Sequence, residues 1–572
     1  MADDDFTLPS NEWDVLVCGT GVKPSLLAAA LSRAGKRVLQ VDPNTYYGSD
    51  SGAFSVDELE TWATTLPPDS PFSHATVERM IEIARPRSYT LTLAPHLVYW
   101  SSNLLELLRE VEMTSSFSWQ AVGSWWVYLT EEDVAARSEA GGGIGGALVD
   151  IGVKTVKAGG TVRRKAGGWN KGRKAASVDL SGMPELQPAG STPTLRKLGG
   201  VLREVPSTFE DVAWSPDLQD RDRGYLGGFL RFVTKCSDPT DTKHYTLLKE
   251  HADTSLAEFL STVYPLPPFT IASIHSLTLL PTSPEKTKLR DAVKALTTHM
   301  NSTGRIPDIR SAAALTIAYG GSAELCQVWS RGAAVAGGIN VLACGVESLT
   351  SGDDSKILAK LTTRQTVTAD WVLNTTHTPS TTGTSFTLSK GIYIITSSLP
   401  SLFAKKFQDD RVSPNAVVLT FPTGSLITEG GEKNNAPVYI IAHSSATGEC
   451  GHGECVLYTS TAHLQPSGYE LSSLALSRAL QAVGEEGAQV AFACNYTQSF
   501  PTTASETTQS NGPVIALNPL SADLAFDDEA LEECKRVYRR IVGEECLHGF
   551  LEMTEEMRRQ HMLAEGEEEY LN

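Results

Sequence analysis

One stretch near the start constrains this chain more than any other: an apolar run, a glycine turn, a helical stripe, then a second apolar run ending in an acid. Trp13-Asp-Val-Leu-Val-Cys18 predicts a short buried parallel strand. Gly19-Thr-Gly21 turns the chain. Ser25–Ala34 predicts a helix with Leu26, Leu27, Ala30 and Leu31 on one apolar stripe, and Gly35 fits its C-cap. Arg37-Val-Leu-Gln-Val-Asp42 predicts the second strand. Together they form the βαβ arrangement of dinucleotide-binding folds.

The chemistry of that arrangement is specific. A first glycine makes the tight turn, a second lets a pyrophosphate approach the backbone, a third lets helix pack on strand, and the acid holds a ribose hydroxyl. Gly19, Gly21 and Asp42 occupy three of these places, but the remaining glycine position holds Pro24. Proline suits the start of a helix, yet it has no amide hydrogen for a phosphate and adds bulk where close packing is wanted. The fold signal survives while the cofactor signal is damaged. No cofactor is therefore expected.

Length and composition fit this reading. A chain of 572 residues exceeds one simple core, so two domains or a heavily inserted one are expected. With 41% apolar and 20% charged residues it is globular rather than disordered. No run of 18 apolar residues predicts a membrane span, and the acidic start Met1–Asp5 is unlike a secretory or transit signal. The carboxyl end, Tyr570-Leu-Asn572, carries no prenylation box. A net charge of −19 argues against a nucleic-acid partner. Nine scattered cysteines make no disulfide framework and read as free thiols of a cytoplasmic protein. Cys450-Gly-His452-Gly-Glu-Cys455 holds possible zinc ligands, but it lies between two strand-like runs, 438–442 and 455–458, and reads better as a hairpin loop. There is neither a Gly-x-Ser-x-Gly elbow nor zinc-protease histidine spacing.

Further along, Leu104–Arg109 predicts a helix, 218–301 is helical with breaks at Pro265, Pro267 and Pro268, and strands dominate from 313 to about 460. Asp527–Ile541 predicts a late helix. Residues 134–200 differ in kind: between Lys154 and Lys197 there are ten Lys/Arg against two acids, in a Gly- and Ala-rich background. This predicts a flexible surface insertion.

Several blocks together resemble a known family. Asp14-Val-Leu-Val-Cys-Gly-Thr-Gly21, Lys36–Asp42 and Asn44-Thr-Tyr-Tyr-Gly48 are similar to the opening of Rab GDP-dissociation inhibitors and Rab escort proteins. Arg87–Leu93, Val205–Asp211, Phe229–Phe232, Tyr319-Gly-Gly-Ser-Ala-Glu-Leu325, Arg331 and Gly337-Gly338 follow in the family's order, so the likeness spans roughly 12 to 460 in blocks. It departs at Asp222-Arg-Gly-Tyr225 and Leu226-Gly-Gly228, where the family often carries a basic cluster, and the glycines there weaken a helix.

The resemblance implies a flavoprotein-like α/β (α+β) fold without a flavin: a βαβ dinucleotide-type core with a smaller inserted helical domain. The expected division is 1–110 as the first part of the large domain, 111–133 with 201–305 as the helical domain, 134–200 as insertion, 306–545 as the second part of the large domain and 546–572 as an acidic tail. It implies a Rab-binding platform with Tyr47 as aromatic contact and Glu324, Gln327 and Arg331 as polar contacts. At spacings of three, four and seven these last three share a helix face. The implied partners are GDP-bound Rab GTPases, the geranylgeranyltransferase alpha/beta heterodimer with its contact near Ser255–Leu280, the geranylgeranyl lipid on Rab, and membranes transiently. No catalytic or metal residue is implied; the role is that of a non-catalytic accessory subunit. Length, the 134–200 insertion and Ser51-Gly-Ala-Phe54 favour the escort branch over the inhibitor branch. The enzyme alternative is a flavin-dependent oxidoreductase.

Overall fold

The computed structural model describes residues 7–68, 70–134, 200–215, 218–351, 356–375, 385–408, 410–462, 467–485, 487–501, 512–543 and 549–552. Nearly all of the expected insertion 134–200 and most of the expected tail 546–572 lie outside them.

The opening unit folds as its pattern predicts: strand Glu12–Cys18, helix Val22–Arg33 and strand Val38–Val41. The two strands pair in parallel, Val15 opposite Val38. They sit at the centre of a seven-stranded sheet, with Ile339–Val341 beyond the second strand and Thr366–Thr375 beside the first. Alternate side chains go to opposite faces. Val15 and Val17 meet the helices Val22–Arg33, Ser322–Val335 and Asp528–Val542, around Leu27, Leu31 and Trp329. Leu16 and Leu39 face the other way, towards Ala359 and Leu361 of an antiparallel extension.

A ten-stranded sheet forms the second body. Its central strands Ala416–Phe421, Val438–Ser444 and Cys455–Thr461 are buried almost throughout, because both faces are covered. Val418, Ile441 and Val456 pack towards the helices of 209–302; Leu419, Ile440 and Leu457 pack towards the helix Ser467–Ala482.

Residues 111–133 correct the sequence expectation. The family resemblance places them in the helical domain, but Trp119–Leu129 is a strand of 11 residues in the second sheet. It pairs antiparallel with Ala312–Ile317 and parallel with Ala416–Phe421. The run Trp-Trp-Val-Tyr-Leu is rich in aromatic and β-branched side chains that favour a pleated, buried surface. Val201–Glu204 joins this sheet too, and the helices of 209–302 follow from Phe209 on.

The helix Asp220–Lys235 forms in spite of Gly224, Gly227 and Gly228. Each internal glycine costs about 1 kcal/mol against alanine. Burial of Leu226, Phe229, Leu230, Phe232 and Val233 offsets that, at roughly 1.5–3 kcal/mol for each large side chain. The expected hairpin across 438–458 is present, with Val438 opposite Thr461. Cys450 and Cys455 are buried while His452 is exposed, so the three do not converge on one ion. Among the described residues, no helix is long and apolar enough to cross a membrane.

Candidate functional site

The glycine turn is where a dinucleotide would have to sit, and its groups are already engaged. Gly19, with φ of 97°, donates its N–H to Val41 O at 2.7 Å. Thr20 donates its N–H to Asp42 Oδ2 at 2.7 Å and its hydroxyl to the same oxygen at 2.6 Å. Ser49 Oγ donates to that oxygen as well, at 2.7 Å. Asn44 gives Asp42 Oδ1 both its backbone N–H and its side-chain amide, each at 2.8 Å. Asp42 is fully buried by these contacts. The acid expected to hold a ribose instead ties residues 44–49 down over the turn.

Those residues fill the cradle. A Cβ on Gly21 would lie 3.4 Å from the Asp50 carboxylate and 3.7 Å from Ser49 Cβ. Outside it runs a groove of about 1410 Å³, whose charged lining is Asp42, Asp50, Asp57, Glu58 and Glu347 against Arg87 alone. Pyrophosphate meets occupied amides and a carboxylate here, and an acidic groove beyond. The residues present do not fit a flavin or nicotinamide dinucleotide. Burial and the charge of Asp42 push the Cys18 thiol in this groove up to about 12, so it is no thiolate nucleophile.

The helix Ser322–Val335 carries the other predicted residues. Its start is set by two glycines. A Cβ on Gly320 would lie 3.0 Å from Ala53 Cβ, and one on Gly321 would lie 3.1 Å from Ala94 O. Their φ values of 143° and 58° are open to glycine at little cost. Leu325, Cys326, Trp329 and Ala333 form the buried face, against Leu27 and Leu31 of the first helix. Ser330 Oγ bonds Ser25 Oγ at 3.1 Å and fixes the two helices together.

Glu324 is half-buried, and Gln327 and Arg331 are exposed. None of the three side chains has a hydrogen bond or ion pair among the described residues. Burial raises the Glu324 carboxyl above its ordinary range. Tyr47 is half-buried in the strap over the glycine turn, between Asn44 and Ser49. The turn Ser49–Ser51 packs against the helix that carries Glu324, which brings the strap and the helix into one region of the surface. Tyr46 is its core-facing neighbour, edge-on to Phe54 at 4.7 Å.

Two features were not legible beforehand. The clamp of Thr20, Asp42, Asn44 and Ser49 uses residue types common in any loop. The packing of the Tyr319 ring on Gly448, where any Cβ would overlap it, joins residues over a hundred positions apart. A signal for the latter existed: an aromatic followed by two glycines at a helix start.

Fold and cradle together define a dinucleotide-type scaffold whose ligand cleft is closed by its own chain. Residues 9–140 match the model of the GDP dissociation inhibitor (GDI) family. The chain is 34% identical over 155 residues to the human Rab proteins geranylgeranyltransferase component A 1, which is 24% of this chain and 23% of that protein. That relative and the components A of Candida albicans and Saccharomyces cerevisiae are matched over 20% to 23% of their own length. A protein of Schizosaccharomyces pombe, described as an uncharacterized Rab geranylgeranyltransferase, is 21% identical over 80% of this chain and 83% of its own. Among solved structures, the Rab GDI of Plasmodium falciparum covers 93% of this chain and 98% of its own at a TM-score of 0.60 and 16% identity, a likeness of fold.

Proposed function

We propose that this chain is an escort-type Rab-binding protein. It holds a newly made, GDP-bound Rab GTPase, presents it to the geranylgeranyltransferase alpha/beta heterodimer, and delivers the prenylated product to membranes. It performs no bond chemistry and acts as an accessory subunit. The observation that carries this reading is the helix face of Glu324, Gln327 and Arg331, three polar side chains with no hydrogen-bond or ion-pair partner among the described residues, on a chain whose residues 9–140 match the GDI family. Charged groups of this kind form strong hydrogen bonds only when a partner supplies the other half. Tyr47, on the neighbouring strap, is the aromatic contact of the same platform.

The helices between Phe209 and Ser302 dock the transferase, near Ser255–Leu280, and shelter the lipid. Each buried methylene contributes roughly 0.8 kcal/mol to that shelter. The cavity among Leu218, Leu226, Phe269 and Ile274 is about 20 Å³, so these helices must part to admit an isoprenoid chain.

The test is a reconstituted prenylation assay with the full chain, unprenylated Rab-GDP and the transferase heterodimer. Glu324→Ala with Arg331→Ala reduces both Rab affinity and prenylation; unchanged Rab affinity in that double variant refutes the platform. Retention of prenylated Rab alone assigns the chain to the inhibitor branch instead. A yellow protein with flavin absorbance after purification would support the oxidoreductase reading.

A further inference from the structure

We propose that Tyr319 is an aromatic anchor of the partner-binding surface, seated on Gly448 and received by an apolar cup on a folded partner that carries a cation beside it. This deepens the Rab-binding reading above and rests on it.

Tyr319 is 56% exposed, although tyrosine is an amphipathic ring that normally buries its body. Its phenol makes no hydrogen bond among the described residues. Its backbone is also strained. The φ of 66° lies in the left-handed region, which a bulky side chain rarely adopts and only at a cost in free energy. Gly320 and Gly321 continue the positive-φ path into the helix. Strain together with exposure brings nothing to the isolated fold, yet the surroundings hold the residue firmly in place.

Three contacts do so. Tyr319 donates its N–H to Thr447 O at 3.0 Å. Its ring lies flush on Gly448, where any Cβ would overlap the ring. Glu449, the next residue, is fully buried and anchors the loop from beneath. Its Oε2 accepts from the Tyr458 hydroxyl at 2.8 Å and lies 2.9 Å from His443 Nδ1, while its backbone O accepts from Thr90 N at 3.0 Å. The seat under the ring is thus pinned to two strands of the second sheet and to the segment before Leu91. A rigid, pre-placed aromatic loses little entropy on binding, which is why tyrosines dominate interface hot spots.

The chemistry of the partner follows from the residues that come after the ring in the chain. Glu324 lies in the first turn of the following helix, five residues on, half-buried and without a hydrogen bond or ion pair among the described residues. A half-buried carboxylate without a partner favours a cation brought to it. Gln327 and Arg331 continue the same face away from Tyr319. The partner surface therefore offers an apolar cup for the ring, a lysine or arginine for Glu324 and an acceptor for Arg331.

The test uses the purified full chain and calorimetric titration with a panel of unprenylated, GDP-loaded Rab GTPases. Tyr319→Gly removes the ring and suits the positive φ; Tyr319→Phe keeps the ring. Tyr319→Gly is expected to weaken binding by about tenfold or more, with a melting temperature equal to or above that of the parent. Tyr319→Phe is expected to stay close to the parent. Equal affinity of Tyr319→Gly and the parent overturns the anchor and leaves the platform reading standing. A parent that binds no Rab, while Glu324→Ala changes nothing, overturns both. A change of oligomeric state in Tyr319→Gly would show the ring to be covered by a second copy of this chain, and would also overturn the proposal.

Discussion

Replacing Asp42 by alanine tests what the closed cleft is for. Its two carboxylate oxygens accept five hydrogen bonds, from the Thr20 amide and hydroxyl, the Ser49 hydroxyl, and the Asn44 amide and side chain. The losses are unequal. The Thr20 amide keeps a second acceptor in Ser49 Oγ at 3.1 Å, and the half-buried Ser49 hydroxyl and Asn44 side chain are open enough to find water. That leaves the Thr20 hydroxyl and the Asn44 amide without their acceptor. At about 1–3 kcal/mol for each stranded buried group, Asp42→Ala costs roughly 2–6 kcal/mol. Asp42→Asn keeps one acceptor oxygen and costs about half as much. The loss is local before it is global. Hydrogen exchange followed by mass spectrometry should show amides of 43–50 opening first, because Gly48 N hangs on Thr20 Oγ1 at 3.0 Å and Thr20 on Asp42. If Tyr47 on this strap makes the Rab contact proposed above, Rab affinity falls with them. Had Asp42 served a ribose, the variant would lose cofactor and leave the strap protected. Unchanged exchange across 43–50, together with unchanged melting, would refute the clamp.

Two other perturbations probe buried charge. Lys23 and Glu533 form a buried ion pair, and Glu533 also accepts from Asn518. Lys23→Met strands the carboxylate and should cost about 3–5 kcal/mol in urea unfolding, while adding Glu533→Gln recovers part of it; equal losses in single and double variants would speak against the pairing. The Glu324 carboxyl is raised by burial, so it takes up a proton at a pH where ordinary carboxylates are still charged. On the proposed platform, Rab binding should weaken as pH falls through that window. Fold stability moves the other way, because the folded state binds the proton more tightly than the unfolded state and gains as pH falls through the folded value. Glu324→Gln abolishes both slopes, and a binding slope that survives in it would exclude Glu324 as its source.

The local pattern between Trp13 and Asp42 determined the first strand, helix and second strand to within a few residues, because an apolar run, a glycine turn and a 3.6-residue stripe each act over a few neighbours. The hairpin around Cys450 was legible for the same reason, whereas the helix Ser322–Val335 falls in a stretch read as mainly strands. The segment 119–129 was not legible: its aromatic run suits several environments, and its place in the second sheet depends on Ala312–Ile317 and Ala416–Phe421, distant in the chain. The role of Asp42 shows the same limit. An acid at the end of a second strand is the residue a ribose needs, and the sequence names it correctly. Whether it meets a ribose or its own chain depends on where Thr20 and Ser49 come to rest, which only folding decides. Proline at position 24 hinted that the cofactor was gone. The tertiary structure alone showed what had taken its place, since hydrogen-bond partners are settled by distance in space and not by order along the chain.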